Sequence, residues 1–208
     1  MNKIDHTIYD NFQPLPENIQ GWHGTSALFA TLIDDVKPRH IIEVGTWMGQ
    51  SAITMAEHLV ATGRDNECRI TCVDHWTGAR EFWAEYAHTP DRNLMLRHGY
   101  PQVYYQFLSN VVHRKVQHII LPLPTTSAIA AQVLAYRKET ADLIYIDASH
   151  DAADVEADCH AYWRLLNMNG VMFGDDWSWP GLAPAVRRFA DWHGLAIETI
   201  EGFWIVRK

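Results

Sequence analysis

Three aspartates stand where apolar, strand-like runs come to an end. Asp147 follows Asp142-Leu143-Ile144-Tyr145-Ile146, and the pair Asp175-Asp176 follows Val171-Met172-Phe173-Gly174. If the runs lie side by side, the carboxylates converge at one edge of a sheet. Like charges held close are costly unless a proton or a cation neutralises them. A hard divalent ion with oxygen ligands, Mg²⁺ above all, is the economical answer. His150 shares the loop of Asp147, where an imidazole could take a proton from a nearby oxygen. The plainer alternatives are a turn-capping role for Asp175 or Asp176, a purely cofactor-binding role for Asp147 and a solvated His150.

A second group is Glu43-Val44-Gly45-Thr46-Trp47-Met48-Gly49, on a strand-to-helix turn. Two glycines allow a tight turn and close approach of a ligand to the backbone. The helix that follows offers free N–H groups to a carboxylate or phosphate. The spacing is ExGxxxG, not the dinucleotide fingerprint GxGxxG. Asp74 ends the next strand, where a carboxylate can accept both ribose hydroxyls of an adenosine. A glycine turn needed only for packing, and a plain loop aspartate, are the structural alternatives.

These residues need a frame that delivers strand ends to one edge. Apolar runs alternate with helix-period segments, as in a parallel sheet covered by helices. Strands are expected at 40–44, 69–73, 116–121, 142–146 and 171–173, with helices over 50–62 and 127–136 and from about Asp151. A short helix beginning near Pro184 leads to 195–200, and Glu201-Gly202 joins that segment to 203–206 as an antiparallel hairpin. The fold class is therefore α/β, five parallel strands closed by an edge hairpin with helices on both faces. One domain covers 1–208, with an N-terminal helical segment at 1–37. Residues 75–114, long and rich in Trp, Tyr and His, read as a lid over the crevice or as an extra structural helix.

Composition narrows the class. The chain has 208 residues, 48% hydrophobic and 20% charged, which excludes disorder and coiled coil. Acidic residues outnumber basic ones by 25 to 17, a formal charge of −8, which argues against nucleic acid or an anionic membrane as partner. No apolar run reaches the roughly 18 residues of a membrane span. Met1–Asp10 does not show the pattern of a secretory leader. Cys68, Cys72 and Cys159 form no CxxC pair and read as reduced thiols, so a cytoplasmic setting is expected.

Glu43–Ser51, Cys72–Asp74, Asp142–His150 and Gly170–Asp176 together resemble the class I S-adenosylmethionine-dependent methyltransferases, from about residue 38 onward. The stretch Ile146-Asp147-Ala148-Ser149-His150 and the later Gly174-Asp175-Asp176 are similar to a metal-dependent branch that includes sugar O-methyltransferases of macrolide biosynthesis. The resemblance implies a Rossmann-like sheet and S-adenosylmethionine held around Glu43, Gly45, Thr46, Gly49, Ser51 and Asp74. It also implies Mg²⁺, or Mn²⁺ in its place, on Asp147, Asp175 and Asp176, with His150 as base. The chain departs from the family where many members place an acid before the helix after the third strand. Here Thr126 and Ser127 would meet the adenine. Ser149 stands where another branch has a catalytic aspartate.

The expected reaction is methyl transfer to a hydroxyl of a small molecule, a sugar or another vicinal diol, with a catechol-like phenol as the alternative. Trp83, Tyr86, Trp177 and Trp179 could pack on such a ring or serve only the core. The rivals are a nicotinamide-dependent oxidoreductase and a binding protein that keeps the cofactor pocket without turnover. The acceptor is not legible, and self-association into a homo-oligomer is left open.

Overall fold

The computed structural model describes residues 6–85, 89 and 94–208. Seven strands form one sheet: β1 (His40–Val44), β2 (Arg69–Asp74), β3 (Ile120–Pro124), β4 (Ala141–Ile146), β5 (Leu166–Gly174), β6 (Glu198–Ile200) and β7 (Phe203–Arg207). Their order is β3-β2-β1-β4-β5-β7-β6, with β1 to β5 parallel and β7 antiparallel to both neighbours. This is the expected Rossmann-like sheet with its C-terminal antiparallel hairpin. The order reverses between β1 and β4, so a crevice opens beyond their carboxyl ends.

The helices are α1 (Ala27–Val36), α2 (Gln50–Ala61), α3 (Arg80–Ala84), α4 (Val103–His113), α5 (Ser127–Tyr136), α6 (Ala152–Trp163) and α7 (Leu182–His193). Period-two alternation sends Ile41, Leu143, Tyr145 and Phe173 to one face, beneath α1, α2 and α4. Ile42, Val44, Ile144 and Met172 face the other side, beneath α5, α6 and α7. Ser26 caps α1 by accepting from the Leu28 N–H, and Leu28, Phe29, Leu32 and Ile33 form its buried stripe. Phe29 meets Tyr145, Phe173 and Phe203 edge-on. Truncating such a fully buried ring costs about 3–5 kcal/mol.

Four expectations change. The third strand was read at 116–121 and lies at Ile120–Pro124. Val116 and Ile119 are buried, but in a turn closed by the Ile119 and Ile120 N–H groups on the Val116 carbonyl. Pro122 and Pro124 are tolerated because β3 is an edge strand and needs no N–H on its outer side. The fifth strand is longer than expected, running through Asn169-Gly170 back to Leu166, and α7 is a full twelve-residue helix. The segment 75–114 is not a single lid: α4 is a core helix, with Val103, Phe107 and Val111 fully buried. Part of the remainder, Tyr86 included, lies outside the described residues.

Candidate active site

Beneath the glycine turn, the fully buried Glu43 accepts hydrogen bonds from the hydroxyls of Thr46 (2.9 Å) and Ser51. Burial pushes its carboxyl up to about 7. Asp74 sits above the same turn: Oδ2 accepts from the Thr46 and Trp47 N–H groups (3.1 and 2.9 Å), and Oδ1 from that of Trp76 (2.6 Å). Two carboxylates therefore brace the turn from opposite sides. Gly45 and Gly49 adopt φ of +89° and +91°. A Cβ on Gly45 would lie 2.0 Å from the Asp147 carbonyl oxygen, and one on Gly49 would meet Phe107 at 2.8 Å. Packing alone thus demands both glycines, the alternative left open by the sequence.

The acidic edge forms because β4 and β5 are neighbours and end level, with Ile146 opposite Gly174. Asp147, His150 and Asp176 bring ligand atoms within 4.8 Å of one another. His150 Nε2 lies 2.7 Å from Asp176 Oδ2, and its ring stacks on Trp179 with centroids 4.6 Å apart. Tyr145 donates its hydroxyl to Asp147 Oδ2 at 2.9 Å. Asp147 is held well above the carboxylate range, by desolvation first and then by the charges of Asp175 and Asp176. The Asp176 carboxylate raises His150 above an ordinary imidazole.

Asp175 behaves differently from its neighbour. Its Oδ1 accepts the Asp176 N–H, and its Oδ2 lies 2.9 Å from His23 Nδ1. The left-handed turn at Asp176 (φ 58°) parts the two side chains. Asp175 is therefore outside the tight cluster, although its charge still reaches Asp147.

A family model described as a methyltransferase domain matches residues 42–177. The chain belongs to that methyltransferase family. Solved structures agree on the fold. An O-methyltransferase from Bacillus cereus, in complex with SAH, is 16% identical, with TM-score 0.64 over 97% of this chain and 88% of that one. The O-methyltransferase TomG from Streptomyces achromogenes, involved in tomaymycin synthesis and in complex with SAM, is 16% identical, with TM-score 0.64 over 93% and 82%. CalS11, a TDP-rhamnose 3′-O-methyltransferase of calicheamicin biosynthesis, is 19% identical, with TM-score 0.61 over 86% and 77%. A search of curated protein sequences finds no significant match.

In this methyltransferase, several residues expected to touch the cofactor are already engaged. The side chains of Glu43, Thr46 and Ser51 bind one another below the turn, leaving its backbone to face a ligand. Asp74 spends two acceptor positions on the turn and a third on the Trp76 N–H of its own loop, and a carboxylate has about four. Thr126 caps α5 through the Ile129 N–H, and the Ser127 hydroxyl bonds Asp158. Trp83 donates to the Thr77 carbonyl, and Arg187 lies over the Trp177 ring. The three cysteines are buried and free, and no helix among the described residues is long and apolar enough to cross a membrane.

Two features were missed. The sequence gives no sign that His23 reaches the acidic edge, since 152 positions separate it from Asp175. The polar row Gln106, Ser109 and Asn110 on α4 is buried and grips residues 15–18. Its signal would have been polar residues on the inner stripe of an otherwise amphipathic helix.

Proposed function

We propose that the chain is an S-adenosylmethionine-dependent, metal-assisted O-methyltransferase that acts on a hydroxyl of a sugar or another vicinal-diol small molecule. The observation that carries this reading is the convergence of Asp147, His150 and Asp176, with the Asp147 backbone packed on the glycine turn. The residues suit a divalent cation: clustered carboxylates repel one another, and Asp147 is raised by desolvation and then by the charges of Asp175 and Asp176. Asp147 and Asp176 would hold it, with Asp175 close behind. When bound, Mg²⁺ or Mn²⁺ supplies Lewis-acid stabilisation of charge developing on the acceptor oxygen. S-adenosylmethionine supplies the methyl group on its sulfonium.

The protein's own contribution is orientation and proton transfer. Asp176 accepts Nε2–H of His150 and so leaves the Nδ1 lone pair to take the acceptor proton, as a carboxylate fixes the tautomer in an Asp–His pair. The same carboxylate then stabilises the imidazolium. Trp179 holds the ring plane, and the half-exposed faces of Trp83 and Trp179 offer surface to a sugar or phenol ring. Alignment of oxygen, methyl and sulfur supplies much of the remaining acceleration. The name of CalS11, a TDP-rhamnose 3′-O-methyltransferase, is in keeping with a sugar acceptor. We expect the acceptor to bind without nucleic acid or membrane, in the cytoplasm.

The test is product detection by mass spectrometry with S-adenosylmethionine, Mg²⁺ and a panel of sugars, nucleotide sugars and catechols, with and without chelator. Sugar methylation that the chelator abolishes is expected. Full turnover in metal-stripped protein would remove the metal from this reading. Thermal stabilisation by NAD but not by S-adenosylhomocysteine would overturn the donor.

A further inference from the structure

Residues 15–24 run as a strap along the site. Its first part is pinned to α4: the Leu15 N–H donates to Ser109 Oγ (2.9 Å), the Asn18 N–H to Asn110 Oδ1 (3.0 Å), and Gln106 Nε2 to the Pro16 carbonyl (2.9 Å). Asn110 Nδ2 lies 2.9 Å from both the Asn18 and the Met48 carbonyls, so the strap and the glycine turn share one anchor. Further on, Gly21 and Gly24 press on Gln50, the first residue of α2, where a Cβ would come within 2.7 and 2.9 Å of its side chain. The strap then delivers His23, in a left-handed conformation (φ 53°), to Asp175. Asp175 is only 3% exposed, whereas the His23 side chain is 61% exposed. The histidine therefore covers the carboxylate from the solvent side.

We propose that His23 is a positioning residue of the acidic edge, holding the Asp175 carboxylate, and through the Asp175–Asp176 turn the Asp176 carboxylate, in the geometry that receives a divalent cation. This deepens the metal-assisted reading above and rests on it. The physical reason is that a carboxylate near a cation is oriented by its other hydrogen bonds, and losing such a partner typically costs about 10- to 100-fold in metal affinity. His23 supplies that bond from a segment that is also tied, through Asn110, to the Met48 carbonyl of the glycine turn.

The test is a Mn²⁺ titration of the metal-stripped protein, read by electron paramagnetic resonance, for the unmodified chain, His23→Gly and His23→Asn. Glycine keeps the left-handed backbone and removes the donor. Asparagine tolerates that backbone and returns an amide N–H near the position of Nδ1. His23→Gly should weaken Mn²⁺ binding by about 10-fold or more, and His23→Asn should recover to within about 3-fold of the unmodified chain. Hydrogen exchange over residues 15–24, measured on the same samples, should rise in His23→Gly and return towards normal in His23→Asn. Unchanged Mn²⁺ affinity in His23→Gly, or an equal loss in both variants, overturns the proposal. An unmodified chain that binds no Mn²⁺ instead defeats the metal-assisted reading itself.

Discussion

His150 Nε2 stands 2.7 Å from Asp176 Oδ2, a contact made across 26 residues between the loop after β4 and the turn after β5. The pair can form because β4 and β5 are adjacent and parallel, so a loop that leaves one meets the turn that leaves the other. It sets the protonation behaviour of the only histidine in the metal-compatible cluster among the described residues.

His150→Ala should lower kcat by about 10²–10⁴-fold, the scale of one acid–base group, with little effect on S-adenosylhomocysteine affinity. Activity should rise with pH as this histidine loses its proton: the Asp176 carboxylate raises it above an ordinary imidazole, and a cation bound beside it would lower it. Profiles of kcat against pH for the unmodified chain and His150→Gln check this. A limb that survives in His150→Gln would assign the base to another group.

Chelation should abolish turnover, and Mg²⁺ or Mn²⁺ should restore it. Asp147→Asn and Asp176→Asn should each impair metal binding while the glycine turn stays intact. Calorimetric titration with S-adenosylhomocysteine separates the two effects: cofactor affinity should persist in both variants.

Glu43 makes stability depend on pH. Its carboxyl moves from 4.5 to about 7 on burial, so the folded chain holds the proton more tightly than the unfolded one. Its contribution is full below about 4.5 and is lost as the pH rises through about 7, on the order of 3 kcal/mol in all. Urea midpoints at mildly acidic and alkaline pH should therefore converge in Glu43→Gln relative to the unmodified chain. Identical pH dependence in both proteins would mean that Glu43 titrates normally.

Asp74→Ala should act twice. Removing the acceptor frees two N–H groups of the turn and that of Trp76, so both thermal stability and S-adenosylhomocysteine affinity should fall, the latter by about 1.5–3 kcal/mol. A loss of affinity without a loss of Tm would point to a ribose contact alone.

Gly45→Ala should be among the most damaging single changes, at about 2–5 kcal/mol, because it combines a positive φ with a collision against the Asp147 backbone. Denaturant unfolding measures it, and a cost under about 1 kcal/mol would show that the turn can yield.

Much of this arrangement was legible because its determinants are local. β1, β2 and β4 are short apolar runs that end in Gly45, Asp74 and Asp147, and neighbouring parallel strands must gather those ends at one edge. The third strand slipped because Val116 and Ile119 are as apolar as a strand but are buried in a turn. Helix α4 was hidden because Gln106, Ser109 and Asn110 occupy its inner stripe, where they grip the strap and spoil the hydrophobic period. His23 could not be found at all, since an exposed residue in an aperiodic segment carries no mark of a partner so distant in the chain. The carboxylates Glu43 and Asp74 were correctly placed at the turn, but sequence could not show that they spend their lone pairs on the protein.

The absence of a side chain at Gly45 has a practical consequence. The space where its Cβ would stand is filled by the Asp147 carbonyl, and the Asp147 N–H donates to the Val44 carbonyl at 2.8 Å. The turn at 43–49 and the loop that leaves β4 are thus two surfaces of a single joint. A loop around residues 147–151 transplanted from a relative, in order to change the acceptor, would carry its own backbone path into that joint. Such a graft should succeed only when the relative's own counterpart of the turn at 43–49 travels with it, so loop and turn must be exchanged together.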